Sequence, residues 1–181
     1  MIRSRRMGVA MLVAGGVLLS ACGSSGDDTA ATDGDDPSSA QADPGGDVLP
    51  DVEIDELGGG DSISLADIEG PAVVNLWATW CAPCRREIPD VEAVHQARGD
   101  EVRFVGVNIG EDGDRAAEFL DEVGATYDQY LDSEGYVVTE LRTSTMPVTV
   151  VLDADGYITK RHLGPLDEGG LNDAIDEALG L

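Results

Sequence analysis

Two cysteines three positions apart, Cys81 and Cys84, are the residues of this chain best suited to chemistry. An apolar stretch over 71–79 precedes them and predicts a buried strand, and a helical pattern begins near Pro83. A helix N-terminus favours the thiolate form of a cysteine, and two thiols at this spacing can close a small disulfide ring. The pattern therefore predicts a redox-active disulfide that works with no further cofactor.

Zinc binding is the usual alternative for a C-x-x-C pair, because structural zinc sites take four cysteine or histidine ligands. The chain has only two histidines, His95 and His162, and neither stands at ligand spacing from the pair. We therefore expect no metal at the dithiol, and we interpret both histidines as structural or exposed.

The two thiols are expected to have different roles because they occupy different positions on the helix. Cys81, at the exposed helix start, is the predicted attacking thiolate that forms a mixed disulfide with a partner. Cys84, one turn further along and more buried, is the predicted resolving thiol. A purely structural disulfide is the alternative, but closing so short a loop stabilises a fold very little.

The remaining cysteine, Cys22, lies in a different kind of sequence. An arginine-rich start precedes an apolar run over 9–19, which is too short to span a bilayer but suits an export signal. Leucine, serine and alanine directly before Cys22 resemble a bacterial lipobox. We predict a lipoprotein signal peptide over 1–21 and a lipid on Cys22. Simple removal of this cysteine with the leader is the alternative, and Sec and twin-arginine export both remain open.

Residues 23–47 contain no aromatic residue and no aliphatic residue larger than alanine. Such a segment cannot bury enough apolar surface to offset its ordering entropy. We predict a lipidated cysteine and a disordered acidic tether over 22–47, followed by one folded domain over 48–181. The domain would then be extracytoplasmic, anchored by lipid to the bacterial cell membrane and facing the periplasm or cell wall, where disulfides persist.

The formal net charge is −25, with 36 acidic and 11 basic residues. This balance argues against nucleic acid as a partner and against docking of a basic face on anionic lipid. The acidic residues are scattered along the chain, which favours a role in solubility, and a preference for basic partners is the second interpretation.

Periodicity predicts the order of the elements. Alternation over 48–54 and a short run over 62–65, on either side of a glycine-rich turn, predict an N-terminal β-hairpin. The other predicted elements are a strand over 73–78, helices over 83–98 and 114–123 with a strand over 102–109 between them, a short helix over 136–141, a hairpin of 148–153 and 158–163, and a helix over 170–179.

The segment from Val73 to Pro89, which includes the C-x-x-C pair, resembles the signature of the TlpA/ResA-like family. These are membrane-anchored extracytoplasmic thiol–disulfide oxidoreductases of the thioredoxin superfamily, several of which serve cytochrome c maturation. Residues 146–153 are similar to the second signature of the fold. The resemblance implies an α/β thioredoxin fold with an added N-terminal β-hairpin and an inserted helix.

Other site residues follow from this resemblance. It implies a cis peptide between Met146 and Pro147 packed against the dithiol, which would expose the backbone of Met146 to a bound peptide and block metal capture. Glu87 stands three residues after Cys84, where an acidic residue would raise a thiol pKa and relay a proton, although a solvated glutamate is an equal alternative. Trp80 is a predicted partner contact.

The resemblance implies an enzyme that reduces protein disulfides, for example those of apocytochrome c. It also implies a membrane electron donor resembling the CcdA/DsbD type. The dipeptide between the cysteines, Ala82-Pro83, resembles those of reducing members of the superfamily. A disulfide-forming oxidase of the same fold is the main alternative, and a thiol peroxidase or a copper chaperone would need motifs that differ from the one present.

Overall fold

A seven-stranded mixed sheet is the centre of the protein, seen in a computed structural model that describes residues 46–181. The predicted signal peptide, Cys22 and nearly all of the predicted tether lie outside the described residues. The strands are β1 (Glu53–Glu56), β2 (Ile63–Ser64), β3 (Ala72–Trp77), β4 (Arg103–Ile109), β5 (Asp128–Asp132), β6 (Val148–Leu152) and β7 (Ile158–Leu163). Their order in the sheet is β2-β1-β5-β4-β3-β6-β7.

Helices cover both faces of this sheet. A 3₁₀ turn over Leu65–Asp67 follows β2. The helices are α1 (Ala82–Arg98), α2 (Gly113–Val123), α3 (Tyr136–Glu140) and α4 (Glu168–Leu179). Strands β3, β4 and β5 run parallel to one another, whereas β6 pairs antiparallel with β3. This is the thioredoxin fold with an added N-terminal hairpin, as predicted.

Strand β3 is buried along its whole length because each face meets a different layer. Val73 packs with Val91 of α1 and Ile175 of α4, whereas Val74 packs on the opposite face with neighbours that include Val105. Alternate residues of a strand point to opposite faces. Burying a valine or leucine side chain contributes about 1.5–3 kcal/mol, so this central strand secures the layers from which the dithiol projects.

The N-terminal hairpin is present, but its first strand is shorter than predicted. Strand β1 begins at Glu53, and the preceding residues carry Leu49 and Val52 into the core without forming a strand. The hairpin pairs antiparallel with β5, with Asp55 opposite Leu131. It therefore extends the sheet on the β5 side.

Strand β5 is the one strand within residues 46–181 that the sequence did not predict. It has aspartate at both ends, contains no β-branched residue and is only half-buried over most of its length. Strand β5 pairs with β4 on one side and with β1 on the other, and these ladder hydrogen bonds stabilise a strand that its own composition does not predict. Tertiary context thus overrides weak strand propensity here.

Helix α1 begins and ends within one residue of its predicted bounds. Its buried face contains Ile88, Val91 and Val94, as predicted, together with Cys84 and Glu87.

No helix within residues 46–181 is both long enough and apolar enough to cross a membrane.

Candidate active site

Cys81 and Cys84 form a disulfide at the start of α1, with their Cα atoms 5.3 Å apart. Cys81 is the N-cap residue, and its Sγ accepts a hydrogen bond from the amide of Cys84 at 3.3 Å. The exposed fraction is 6% for Cys81 and 1% for Cys84. Cys81 is therefore the more exposed residue of the two, but in the disulfide form it is far less exposed than its place at the helix start suggested.

A turn from Ala78 to Cys81 connects β3 to α1 and carries Trp80 at its exposed corner. The amide of Cys81 donates to the carbonyl of Ala78 at 3.2 Å and closes the turn. Trp80 is 62% exposed. The turn therefore places an aromatic surface beside the sulfur that the sequence assigns as the nucleophile.

Glu111 holds this turn from the loop that follows the neighbouring strand β4, and sequence reasoning did not find it. Its Oε1 accepts hydrogen bonds from the amide of Thr79 at 2.6 Å and from Nδ2 of Asn108 at 2.7 Å. The hydroxyl of Thr79 donates to Oε2. A carboxylate directly after a strand parallel to β3 is the signal that was available, because such strands end at the same edge of a sheet.

Glu87 lies inside the protein, so its interpretation as a solvated helix residue is wrong. It is 2% exposed. Its Oε1 accepts hydrogen bonds from Nδ2 of Asn75 at 3.0 Å and from the hydroxyl of Thr149 at 3.3 Å. No donor within the described residues meets hydrogen-bond geometry at Oε2, although the backbone of Leu166 approaches the carboxylate.

Burial is the main reason that the pKa of Glu87 rises from 4.5 to about 7. Removing a carboxylate from water disfavours its charged form. Hydrogen bonds from Thr149 and Asn75 act in the opposite direction but do not compensate, and Asp90 adds a smaller repulsion. Since Glu87 follows Cys84 by nearly one turn, the two side chains share the buried face of α1. The site therefore contains an internal carboxylic acid that titrates near neutrality.

A groove of about 440 Å³ lies beside the dithiol and is lined in part by Cys81. The peptide bond between Met146 and Pro147 is cis, as the resemblance implies. The structure thus brings Trp80, Cys81 and Met146 to the walls of one groove. Its full lining is Trp80, Cys81, Ala82, Pro83, Ile109, Val138, Thr143, Ser144 and Met146.

Trp77, His95 and His162 are not among the residues that line this groove. Trp77 is fully buried and donates from Nε1 to Oε1 of Gln129 at 3.0 Å. His95 packs against Phe104, with ring centroids 5.3 Å apart. His162 is half-buried on β7. Among residues 46–181, no group of three or more histidine, cysteine or acidic side chains is arranged to hold a metal ion.

A disulfide at a helix N-terminus, an internal acid and an apolar groove on a thioredoxin fold define a thiol–disulfide oxidoreductase. The Redoxin family matches residues 44–179, and the chain belongs to this family. Its relatives place it among the TlpA/ResA-like proteins of the thioredoxin superfamily.

Named relatives have the same type of activity. The chain is 34% identical over 137 residues to the thiol:disulfide interchange protein HelX of Rhodobacter capsulatus. This alignment covers 74% of this chain and 76% of HelX. It is 29% identical over 119 residues to the thiol-disulfide oxidoreductase ResA of Bacillus subtilis. This second alignment covers 65% of this chain and 66% of ResA. The structure is similar to that of a secreted thiol-disulfide isomerase from Corynebacterium glutamicum, with a TM-score of 0.62, 28% identity, and coverage of 73% and 83% of the two chains.

Proposed function

We propose that this protein reduces disulfides of exported proteins through the Cys81–Cys84 pair. The observation that carries this proposal is the buried Glu87 on the same helix face as Cys84. A strong oxidant of this fold owes its high potential to stabilisation of its reduced form. Here the residues between the cysteines, Ala82 and Pro83, carry no charge, and a carboxylate near the thiols disfavours the thiolate. These features favour a low reduction potential and hence a reductase.

The reaction begins when the Cys81 thiolate attacks one sulfur of a partner disulfide. This forms a mixed disulfide and releases the partner's other sulfur as a thiolate, which takes up a proton. Cys84 then loses its proton, for which Glu87 is an acceptor with a pKa of about 7. The Cys84 thiolate attacks Sγ of Cys81, forms the Cys81–Cys84 disulfide and releases the partner as a dithiol.

The groove beside Cys81 is the proposed binding site for the partner chain. Its apolar walls include Trp80 and Met146, and the backbone of Met146 is the proposed partner for strand-like pairing with an extended peptide. Apocytochrome c is the substrate that the family resemblance suggests. The enzyme must be reduced again after each turnover, and we propose a membrane electron donor resembling the CcdA/DsbD type.

We further propose an extracytoplasmic location with a lipid anchor on Cys22. The export-like leader and lipobox-like residues before Cys22 support this proposal, and one structural relative is described as secreted. Replacing Cys22 with alanine should release the protein from membranes and leave the dithiol chemistry unchanged. Intact-mass measurement of the native protein that finds no lipid on Cys22 would remove this part of the proposal.

Disulfide formation is the competing function, and the position of Cys81 at a helix N-terminus favours it, because the helix dipole stabilises a thiolate. The reduction potential decides between the two directions. We expect a value near that of thioredoxin, about −270 mV, when the protein is equilibrated with glutathione or dithiothreitol mixtures. The Cys81→Ser variant cannot form the Cys81–Cys84 disulfide, so it is the control that shows that the measured redox transition comes from this pair. A potential above about −180 mV would overturn the reductase assignment.

A further inference from the structure

Glu111 contacts the turn that carries the candidate nucleophile, although it lies 30 positions further along the chain. Its carboxylate accepts hydrogen bonds from both the backbone amide and the side-chain hydroxyl of Thr79. Thr79 precedes Trp80 and Cys81 directly. Within the turn itself, the backbone provides the hydrogen bond from the amide of Cys81 to the carbonyl of Ala78. Glu111 is therefore a principal external restraint on these residues.

The other side of the Glu111 carboxylate is fixed to the sheet. Nδ2 of Asn108 donates to Oε1 at 2.7 Å, and Asn108 is fully buried on β4. Asn108 pairs in register with Trp77, the last residue of β3. Glu111 thus links the end of β4 to the turn that follows β3. Hydrogen bonds to an ionised acceptor are about twice as strong as those between neutral groups.

The two redox forms depend on this link to different degrees. In the oxidised form, the covalent bond to Cys84 holds Cys81 against α1. Reduction removes that bond, so the position of Cys81 then depends on the turn and on weaker contacts, such as the 3.3 Å hydrogen bond from the Cys84 amide to Sγ. The disulfide and the Glu111 link hold the turn in the same geometry, so each favours the other, and the link stabilises the oxidised form more than the reduced form.

We propose that Glu111 is a positioning residue that holds the Thr79 turn in the geometry of the disulfide and thereby lowers the reduction potential of the Cys81–Cys84 pair. This inference rests on the proposed function only in taking that pair as the redox centre. Loss of the link destabilises the disulfide form more than the dithiol form and shifts the equilibrium towards the dithiol. It also leaves the Cys81 thiolate and Trp80 less well placed for attack on a partner.

The test compares Glu111→Ala with Glu111→Gln. Alanine removes all three hydrogen bonds. Glutamine keeps an acceptor for the Thr79 amide and Asn108, and its amide can donate to the Thr79 hydroxyl, so it keeps the link and removes only the charge. We expect alanine to shift the thiol–disulfide equilibrium with glutathione about tenfold towards the dithiol, a potential about 30 mV less negative. Glutamine should stay within about threefold of the unmodified protein.

Glu118→Ala is the matched control. Glu118 is an exposed carboxylate on α2 that lines a cleft with Thr79 and Trp80. It does not hydrogen-bond to the turn in the described part of the chain, and its removal should leave the potential unchanged. Urea unfolding of the oxidised and reduced forms completes the test. Glu111→Ala should lower the unfolding free energy of the oxidised form more than that of the reduced form.

Equal destabilisation of both forms by Glu111→Ala, with an unchanged potential, would show a purely structural role and overturn the inference. If the alanine variant does not fold, Thr79→Val removes only the hydroxyl donor and should shift the potential in the same direction by a smaller amount. An unchanged reduction potential in Thr79→Val would also overturn the inference. A potential above about −180 mV in the unmodified protein would reject the reductase direction, while the difference between variants would still test Glu111.

Discussion

Nδ2 of Asn75 donates a hydrogen bond of 3.0 Å to Oε1 of Glu87, and so joins the central strand to the helix that begins at the dithiol. Asn75 and Glu87 are 1% and 2% exposed. The contact therefore holds an ionisable group in the interior next to the face that carries Cys84.

The first prediction concerns the pH dependence of stability. Burial raises the pKa of Glu87 from 4.5 to about 7, so between these values the folded state binds more protons at this site than the unfolded state. The contribution of Glu87 is fully present below pH 4.5 and is lost as pH rises through about 7. At about 1.4 kcal/mol per pKa unit, the loss is on the order of 3 kcal/mol.

Urea unfolding of the oxidised protein at a series of pH values measures this effect. The other carboxylates also titrate, so the informative quantity is the difference between the unmodified protein and Glu87→Gln. We expect this difference to change across the window from pH 4.5 to about 7. The exposed Glu118→Gln variant should show no such change. A flat difference for Glu87→Gln would contradict the raised pKa.

The second prediction concerns the order of the two thiols. Cys81 is the more exposed residue of the pair, at 6% against 1% for Cys84. The Cys84→Ser variant should therefore accumulate mixed disulfides with partner proteins, because the thiol that resolves them is missing. Cys81→Ser is the matched control and should trap none. Faster alkylation of Cys84 than of Cys81 in the folded, reduced protein would reverse the assignment.

The third prediction concerns Trp80 as a contact for protein substrates. An exposed tryptophan beside a reactive groove is typical of an interface hot spot, and its truncation costs more than about 1 kcal/mol. We expect Trp80→Ala to raise KM for the reduction of insulin disulfides about tenfold, which is about 1.4 kcal/mol. The rate of reaction with dithiothreitol should stay within about twofold, because that small molecule does not need the groove.

Tyr136→Ala is the matched control for this experiment, because Tyr136 is 58% exposed and lines a different cleft, with Asp51 and Glu134. An equal loss of activity in the two variants would show that Trp80 has no specific part in substrate binding.

The fourth prediction concerns stability at the end of α3. Arg142 has a φ of 50°, a left-handed conformation that L-residues other than glycine adopt at a cost of about 1–2 kcal/mol. Arg142→Gly should therefore raise the free energy of unfolding by roughly 0.5 kcal/mol, after allowance for the greater freedom of glycine in the unfolded chain.

The reverse substitution at the end of α2 is the control. Gly124 has a φ of 70°, and an added Cβ there would meet no atom within 4 Å. Gly124→Ala should thus destabilise by about 1 kcal/mol through backbone conformation alone. Chemical denaturation measures both variants, and a loss of stability in Arg142→Gly would show that the arginine side chain makes a compensating contact.

The dithiol and the elements beside it could be predicted because their signals are local. The strand predicted over 73–78 is β3, and the helix predicted over 83–98 is α1. The apolar run and the 3.6-residue periodicity each lie within one segment. Strand β5 has no such signal, because it is stabilised by pairing with β4 and β1 rather than by its own composition.

The sequence by itself determined the fold, the Cys81–Cys84 pair and the placement of Glu87 and Cys84 on one helix face, since these follow from patterns within short segments. Only the tertiary structure decided the environment of that face. Asn75 and Thr149 lie 12 and 62 positions from Glu87, and the sheet brings both against its carboxylate. Glu111 likewise reaches Thr79 only because two parallel strands end side by side. Burial and hydrogen bonding between distant segments set the pKa of an acid and the rigidity of a turn, and neither quantity is contained in the spacing of residues along the chain.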